Sequence, residues 1–215
     1  MSTQSTHLLL KRALKPLFAL SLSAAALSLY SGLSAQLSAA PSAQATALKL
    51  GELAPDFSLK DQRGQELKLS SLRGKLVVLE WTNPTCPFVV RHYKAKTMTT
   101  LAQSHPDVVW LTINSSHFTQ DADNAKWADS EGVKRVLNDA SGEVGQRYGA
   151  RTTPHMYVID AAGKLAYQGA IDDDPYGDKQ APLNYVAEAL KALKAGAQPK
   201  VGETKPYGCS VKYKR

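Results

Sequence analysis

Only two of the 215 residues are cysteines, Cys86 and Cys209. In an oxidising compartment such a pair can form one disulfide, so a structural staple is one interpretation. A chain of this length buries enough apolar surface to fold without a staple. The chemistry of Cys86 therefore has to be judged from its local setting.

The first 45 residues contain no acidic residue and no apolar run long enough to cross a bilayer. Lys11, Arg12 and Lys15 precede an apolar run over residues 17–29, which is short of the roughly 20 residues that a span needs. Small residues follow, and residues 43–45 (Ala-Gln-Ala) offer a small-x-small cleavage pattern. We predict a signal peptide over residues 1–45 and export to the periplasm; a disordered tail or an uncleaved anchor is the alternative.

The chain also lacks a basic helix or a basic stripe interleaved with aromatic residues. Its formal charge is +7, and removal of residues 1–45 would lower this to +4 because three basic residues are lost. We therefore expect no nucleic-acid partner. The composition, 43% hydrophobic and 21% charged, is that of a soluble globular protein.

Hydrophobic patterns and turn residues predict an α/β fold without internal repeats. We expect a β-hairpin near residues 56–69, a buried strand over 75–81, a helix from 87 to about 103 and a second buried strand over 108–113. Shorter elements follow, and then a hairpin over 156–167 and a helix over 183–193. Strands alternating with helices and ending in a hairpin predict a mixed central sheet flanked by helices.

Cys86 lies where a predicted strand gives way to a predicted helix. The backbone N–H groups and the positive dipole end of that helix favour the thiolate, which is the nucleophilic form. Arg91 and His92 would add positive charge if they faced the sulfur. A buried, inert cysteine is the alternative, but a turn after Asn-Pro-Thr is more typical of a reactive thiol.

Three sequence segments together resemble one family. They are residues 54–59 with 69–75, the block 79–89 around Cys86, and residues 152–160 with Thr153 and Pro154. The stretch from Gly51 to about Leu193 is similar to the thioredoxin superfamily, in the redoxin branch of alkyl hydroperoxide reductases and thiol-specific antioxidants. The resemblance implies that residues 46–196 form a thioredoxin-like domain that begins with a β-hairpin. It also implies a cis-proline loop beside Cys86.

The chain departs from both parent patterns. Thioredoxins have a cysteine where Asn83 stands, so the local exchange of a Cys-x-x-Cys motif is absent. Peroxiredoxins have a threonine at the position of Asn83 and a proline at the position of Leu79, and their catalytic arginine would fall near Pro154. In this chain the nearest threonine and arginine, Thr82 and Arg151, are displaced from those positions. The best match is a peroxiredoxin-like subgroup with a single active-site cysteine.

We expect a thiol oxidoreductase with an antioxidant or disulfide-exchange role and no cofactor. Cys86 would be the nucleophile, and the substrate would be a peroxide or a protein or small-molecule disulfide, with an external thiol as reductant. The resemblance and the neighbourhood of the cysteine suggest six substrate-binding residues: Thr82, Asn83, Thr85, Thr153, Pro154 and His155.

Cys209 lies in a polar C-terminal tail, residues 197–215, beside Gly208. A mobile tail suits a resolving cysteine that swings in to capture oxidised Cys86, within the chain or across a homodimer. A static disulfide is an equal alternative.

The rival function is a thioredoxin-fold copper-binding or chaperone module without turnover. Cys86 with His92 or His155 would be an acceptable copper ligand pair. Copper chaperones of oxidase assembly share the fold but have two cysteines close together, which this sequence lacks, so we predict no metal site. Residues 172–175 lack the spacing of a calcium loop and indicate a solvated loop.

Overall fold

The computed structural model describes residues 48–214. The predicted signal peptide, residues 1–45, lies outside the described residues. Within residues 48–214, no helix has both the length and the apolar character needed to cross a membrane.

The centre of the fold is a five-stranded mixed sheet. Its strand order is β5-β4-β3-β7-β8, in which β3, β4 and β5 run parallel and β7 is antiparallel to both β3 and β8. The strands are β3 (Val77–Trp81), β4 (Val109–Asn114), β5 (Val136–Asn138), β7 (His155–Ile159) and β8 (Leu165–Gly169). The predicted mixed sheet and thioredoxin-like fold are confirmed.

Two short antiparallel pairs accompany this sheet. The N-terminal hairpin joins β1 (Ser58–Lys60) to β2 (Glu66–Lys68), as predicted, and is followed by a 3₁₀ helix at Leu69–Leu72. The other pair joins β6 (Thr152–Thr153) to β9 (Cys209–Ser210), which are far apart in sequence. This second pair has no counterpart among the predicted elements.

The helices are α1 (Pro87–Lys94), α2 (Thr97–Ser104), α3 (Asp121–Glu131), α4 (Glu143–Tyr148) and α5 (Tyr185–Lys194). The single helix predicted from 87 to about 103 is wrong, because the backbone at Lys96 is left-handed with φ 58° and ends the first helix. The turn lets Tyr93 of α1 and Met98 of α2 pack into the same apolar cluster. Local propensity contains no signal for this break, since no glycine or proline marks it.

Alternation along β3 divides the core between the two faces of the sheet. Leu79 and Trp81 pack into one cluster, and Val78 packs into the other. Cys86 belongs to the second cluster, together with Met156 of β7. The face of the sheet on which a side chain lies therefore decides whether it can reach Cys86.

The C-terminal segment packs against the sheet, in contrast to the expected mobile tail. Glu203 bridges to Gln168 of β8, β9 pairs with β6, and the Tyr213 hydroxyl donates a 2.7 Å hydrogen bond to the carbonyl of Ala150. A further backbone bond of 3.1 Å joins the Val211 N–H to Arg151. The segment that carries Cys209 is thus held on both sides of the cysteine.

Candidate active site

The loop between β3 and α1 is a tight turn built around Asn83. Its side-chain oxygen accepts hydrogen bonds from the backbone N–H (2.9 Å) and the hydroxyl (2.8 Å) of Thr85, and its carbonyl accepts one from the Cys86 N–H at 2.9 Å. Pro87 then begins α1, which is a favourable first helical position for proline. Cys86 is therefore the N-cap residue of α1, as the sequence predicted.

Cys86 is only 2% exposed. Its Sγ donates a 3.0 Å hydrogen bond to the carbonyl of Thr153, which precedes Pro154 in a cis peptide bond. Two loops from different parts of the chain, the start of α1 and the end of β6, thus meet at the sulfur. The predicted cis-proline loop lies beside Cys86.

Cys209 is the strand partner of Thr153, because β9 pairs with β6 and places the two residues directly opposite each other. Both cysteines are free thiols that pack into the same cluster, and each shifts the pKa of the other. Residues 123 positions apart in sequence therefore form one dithiol pair. No swing of a mobile tail is needed to bring them together.

The close approach of β9 to β6 depends on Gly208. Its φ is +133°, and a Cβ atom there would lie 2.1 Å from the Thr153 carbonyl oxygen. Such a contact is impossible, so only glycine permits the two strands to meet at this point. Gly208 thus permits the close approach that brings Cys209 opposite Thr153.

The pair has an asymmetric charge distribution. Burial raises the pKa of Cys86, but the Cys209 side chain and the backbone N–H groups of Val89 and Cys209 outweigh burial and leave the pKa below its usual value. Burial raises the pKa of Cys209 to about 11, assisted by the hydrogen bond and the charge of Cys86. Of the two thiols, Cys86 therefore loses its proton at the lower pH, and Cys209 keeps its proton to higher pH.

The structure does not bring His155 to the thiols. His155 and Tyr157 are alternate residues of β7 and so lie on the same face of the sheet, where the Tyr157 hydroxyl is 3.2 Å from His155 Nδ1. Cys86 packs on the opposite face. His155 lines a separate cavity of about 280 Å³ with Arg151 and Glu203. Burial lowers its pKa to about 3. The expectation that His155 could face Cys86 is wrong.

Of the remaining sequence candidates, Thr153 contacts the sulfur directly, and Asn83 and Thr85 shape the loop. Thr85 is exposed, whereas the Asn83 carboxamide oxygen is occupied by the turn. Thr82 is buried, and within residues 48–214 the hydroxyls of Thr82 and Thr153 have no hydrogen-bond partner by geometry. These two hydroxyls are available donors.

Sequence reasoning missed Tyr207 and Asp172. The Tyr207 hydroxyl bonds to the Asp172 carboxylate and lies 2.9 Å from Nε2 of His92 on α1. Asp172 and Asp174 are buried, which corrects the predicted solvated loop. The signal that could have found this network is Tyr207 itself, two residues before Cys209 in an otherwise polar segment.

An open groove of about 600 Å³ lies beside the dithiol. Aromatic side chains from three segments line it: Phe88, Tyr176, Tyr185 and Tyr207. Among the described residues, no group of three or more His, Cys, Asp or Glu side chains could hold a metal ion. The site offers a thiol of lowered pKa, a second thiol beside it and a groove lined by both aromatic and charged side chains.

Comparisons with known proteins identify the family and the fold of the chain. The Redoxin family model matches residues 49–185. An uncharacterized conserved protein from Geobacillus kaustophilus has a similar structure, with a TM-score of 0.70 and 25% identity over 79% of this chain and 94% of that one. No curated protein matches the chain in sequence.

Two further solved structures share the fold. A hypothetical protein from Sinorhizobium meliloti 1021 superimposes with a TM-score of 0.68 and 23% identity over 79% of this chain and 97% of that one. A protein described as the thiol:disulfide interchange protein DsbE, from Chlorobium tepidum, does so with a TM-score of 0.54 and 21% identity over 70% and 98%.

Proposed function

The chain belongs to the Redoxin family, and from this membership we propose that it is a thiol oxidoreductase in which Cys86 is the nucleophile and Cys209 the resolving thiol. Family membership supports the general class of thiol oxidoreductase. One observation carries the specific roles: Cys86 and Cys209 are free thiols that meet at Thr153, and the lowered pKa is that of the buried Cys86.

With a hydroperoxide as substrate, the Cys86 thiolate attacks one oxygen. An S–O bond forms, the O–O bond breaks, and the leaving hydroxide or alkoxide takes up a proton, so Cys86 becomes a sulfenic acid. Cys209 then attacks that sulfur; an S–S bond forms, the S–O bond breaks, and hydroxide leaves as water with the Cys209 proton. An external thiol reductant returns both cysteines to the reduced state.

With a disulfide as substrate, the same residues act in the same order. The Cys86 thiolate forms a mixed disulfide and releases one thiolate of the substrate. Cys209 then attacks the Cys86 sulfur, releases the second thiolate and leaves an intramolecular disulfide. In both reactions the loss of the Cys86 charge removes one cause of the raised pKa of Cys209, so the resolving thiol becomes easier to ionise after the first step.

The surroundings of the sulfur support stabilisation of charge during the first step. Backbone N–H groups at the start of α1 and in β9 face Cys86. The Thr153 and Thr82 hydroxyls are the side-chain donors still available near this loop. Preorganised donors of this kind hold developing negative charge at low cost. Pro154 would shape the substrate site beside them.

Two features of the biological setting belong to the same proposal. The basic residues, short apolar run and small-x-small site within residues 1–45 support export to the periplasm, where a dithiol pair can exchange with disulfides. Because Cys209 reaches Cys86 within one chain, resolution in cis is favoured over resolution across a homodimer. A peroxiredoxin-like antioxidant role and disulfide exchange are both consistent with this chemistry.

The test follows the mature, reduced protein by intact mass after a pulse of hydrogen peroxide, and separately after a small aromatic disulfide. We expect wild type to lose two hydrogens and Cys86→Ser to lose none. Cys209→Ser should accumulate a sulfenic acid or a mixed disulfide. A matched control, Cys209→Ser with Ser210→Cys, keeps two thiols but turns the second to the other side of β9.

Formation of the disulfide at the same rate in that double variant would contradict the proposed role of Cys209. Turnover by Cys86→Ser would contradict the role of Cys86. If hydrogen peroxide oxidises wild type no faster than it oxidises free cysteine while the disulfide reacts, disulfide exchange remains as the activity and the antioxidant role is refuted.

Copper(I) binding is the second candidate, because the fold brings together two cysteines that are far apart in the sequence. A pair of soft thiolates suits copper(I). Titration of the reduced protein with copper(I) in competition with a chromophoric chelator tests it. Binding of one equivalent that is lost in both Cys86→Ser and Cys209→Ser would support this candidate, and binding retained in either variant would refute a dithiolate site.

A further inference from the structure

Tyr207 ties three separate segments together two residues before Cys209. Its hydroxyl bonds to the carboxylate of Asp172, which follows β8, and lies 2.9 Å from Nε2 of His92 on α1. Its ring packs 6.0 Å from the rings of both Phe88 and His92. We call this group of Tyr207, Asp172 and His92 the tyrosine clamp.

The hydrogen bonds of the tyrosine clamp extend to Arg91. Arg91 Nη2 donates to the carbonyl of Asp174 at 2.7 Å and to Nε2 of His92 at 2.9 Å, since a guanidinium group has no acceptor. The Tyr207 hydroxyl donates to the carboxylate of Asp172. His92 and Asp172 are both buried, so the clamp binds Tyr207 through groups that water does not replace easily.

The pairing of β9 with β6 is too short to hold Cys209 by itself. It consists of two residue pairs, Thr152 with Ser210 and Thr153 with Cys209, and isolated two-stranded pairs are marginal even when they are longer. Gly208, between Tyr207 and Cys209, has no side chain and adds no stiffness. The position of the Cys209 sulfur therefore depends on what anchors the chain just before it.

We propose that Tyr207 is a positioning residue for the resolving step: through Asp172 and His92 it holds Cys209 against Cys86, so that capture of the oxidised Cys86 is fast. This inference rests on the proposed function, because it assigns a residue to the second step of that reaction. Tyr207 does not contact the reacting atoms, and it acts only through the placement of Cys209. The first step, attack by Cys86, does not require it.

The experiment separates the two steps in the full-length mature protein. Wild type and Tyr207→Phe are oxidised with hydrogen peroxide and with the small aromatic disulfide, and the decay of the Cys86 adduct into the Cys86–Cys209 disulfide is followed by quenching and intact mass. The phenylalanine keeps the ring that packs on Phe88 and removes only the hydroxyl. We expect adduct formation within about twofold of wild type and disulfide formation slower by about tenfold, the size of effect that loss of a hydrogen bond to a charged group gives.

Two matched variants test the specificity of the effect. Ser130→Ala removes a hydroxyl from an exposed residue of α3 that does not line the groove, and should react as wild type. Tyr213→Phe removes the anchor on the far side of β9, the bond to Ala150. Because this anchor lies four residues after Cys209 and does not adjoin Gly208, we expect it to slow disulfide formation less than Tyr207→Phe does.

Disulfide formation at the wild-type rate in Tyr207→Phe would overturn the inference. So would an equal slowing in Tyr207→Phe and Tyr213→Phe, because any loosening of the tail would then suffice. Slowing of both steps in Tyr207→Phe by the same factor would also overturn it, since that would indicate a structural role. Failure of the proposed function is a different result, because wild type itself would then form no disulfide.

Discussion

Glu80 is a carboxyl group buried in the middle of β3, and its replacement by glutamine is the sharpest available test of the electrostatics of the core. The Tyr93 hydroxyl donates to it at 2.9 Å and the Trp110 Nε1–H at 3.0 Å. Burial nevertheless dominates and raises the pKa of Glu80 from 4.5 to about 7. The folded protein therefore binds a proton at this group that the unfolded chain releases at lower pH.

The sign of the effect follows from this difference. Because the pKa is higher in the folded state, the stabilising contribution is complete below about pH 4.5 and is lost as the pH rises to about 7. Each pKa unit corresponds to about 1.4 kcal/mol, so the free energy of unfolding should fall by about 3 kcal/mol across this interval. Glu80→Gln keeps an acceptor oxygen, stays neutral and should not show this loss.

The assay is urea unfolding of wild type and Glu80→Gln at a series of pH values from 4.5 to 8. The informative quantity is the difference between the two proteins, because the contributions of other titrating groups cancel in it. Burial of His92 and His155, which lowers their pKa values to about 4 and about 3, acts in the opposite sense on both proteins. Relative to wild type, the variant should gain about 3 kcal/mol between pH 4.5 and pH 7.

A difference that does not change with pH would refute the reasoning, because it would mean that Glu80 is ionised in the folded protein over the whole interval. Glu188→Gln serves as the control, since it removes a carboxylate from an exposed position on α5. The same pH-dependent gain in the control would assign the effect to net charge instead of burial.

Three further outcomes follow from the site and its support. Cys209→Ala removes a side chain that lowers the pKa of Cys86, so this pKa should rise, seen as a shift to higher pH in the alkylation rate; an unchanged profile would show that the two thiols do not interact. Gly208→Ala should cost about 2 kcal/mol of stability and speed alkylation of Cys86, because its Cβ would collide with Thr153 and force β9 away from β6. Asp139→Ala should cost about 3 kcal/mol in urea unfolding, since this buried carboxylate accepts bonds from two backbone N–H groups of α4 and two serine hydroxyls; a loss below about 1 kcal/mol would contradict that assignment.

Much of the fold could be predicted from local pattern. The apolar run of β3, the turn residues Asn83 and Pro84 and the helix-starting Pro87 together place Cys86 at a helix N-terminus, and each of these signals acts over a few residues. The break at Lys96 could not be predicted in this way, because packing of Tyr93 and Met98 into one cluster imposes a backbone conformation that lysine rarely adopts.

The sequence by itself determined the strand-to-helix setting of Cys86, because turn chemistry and hydrophobic period are local properties of the chain. The cis-proline segment is expected only from the resemblance to the family. Only the tertiary structure decided that Cys209 lies against Cys86, that His155 faces away from it and that Tyr207 is anchored to α1. These depend on the pairing of β9 with β6 and on which face of β7 each side chain occupies. Contacts between residues more than a hundred positions apart arise from the packing of the whole fold, and no local pattern encodes them.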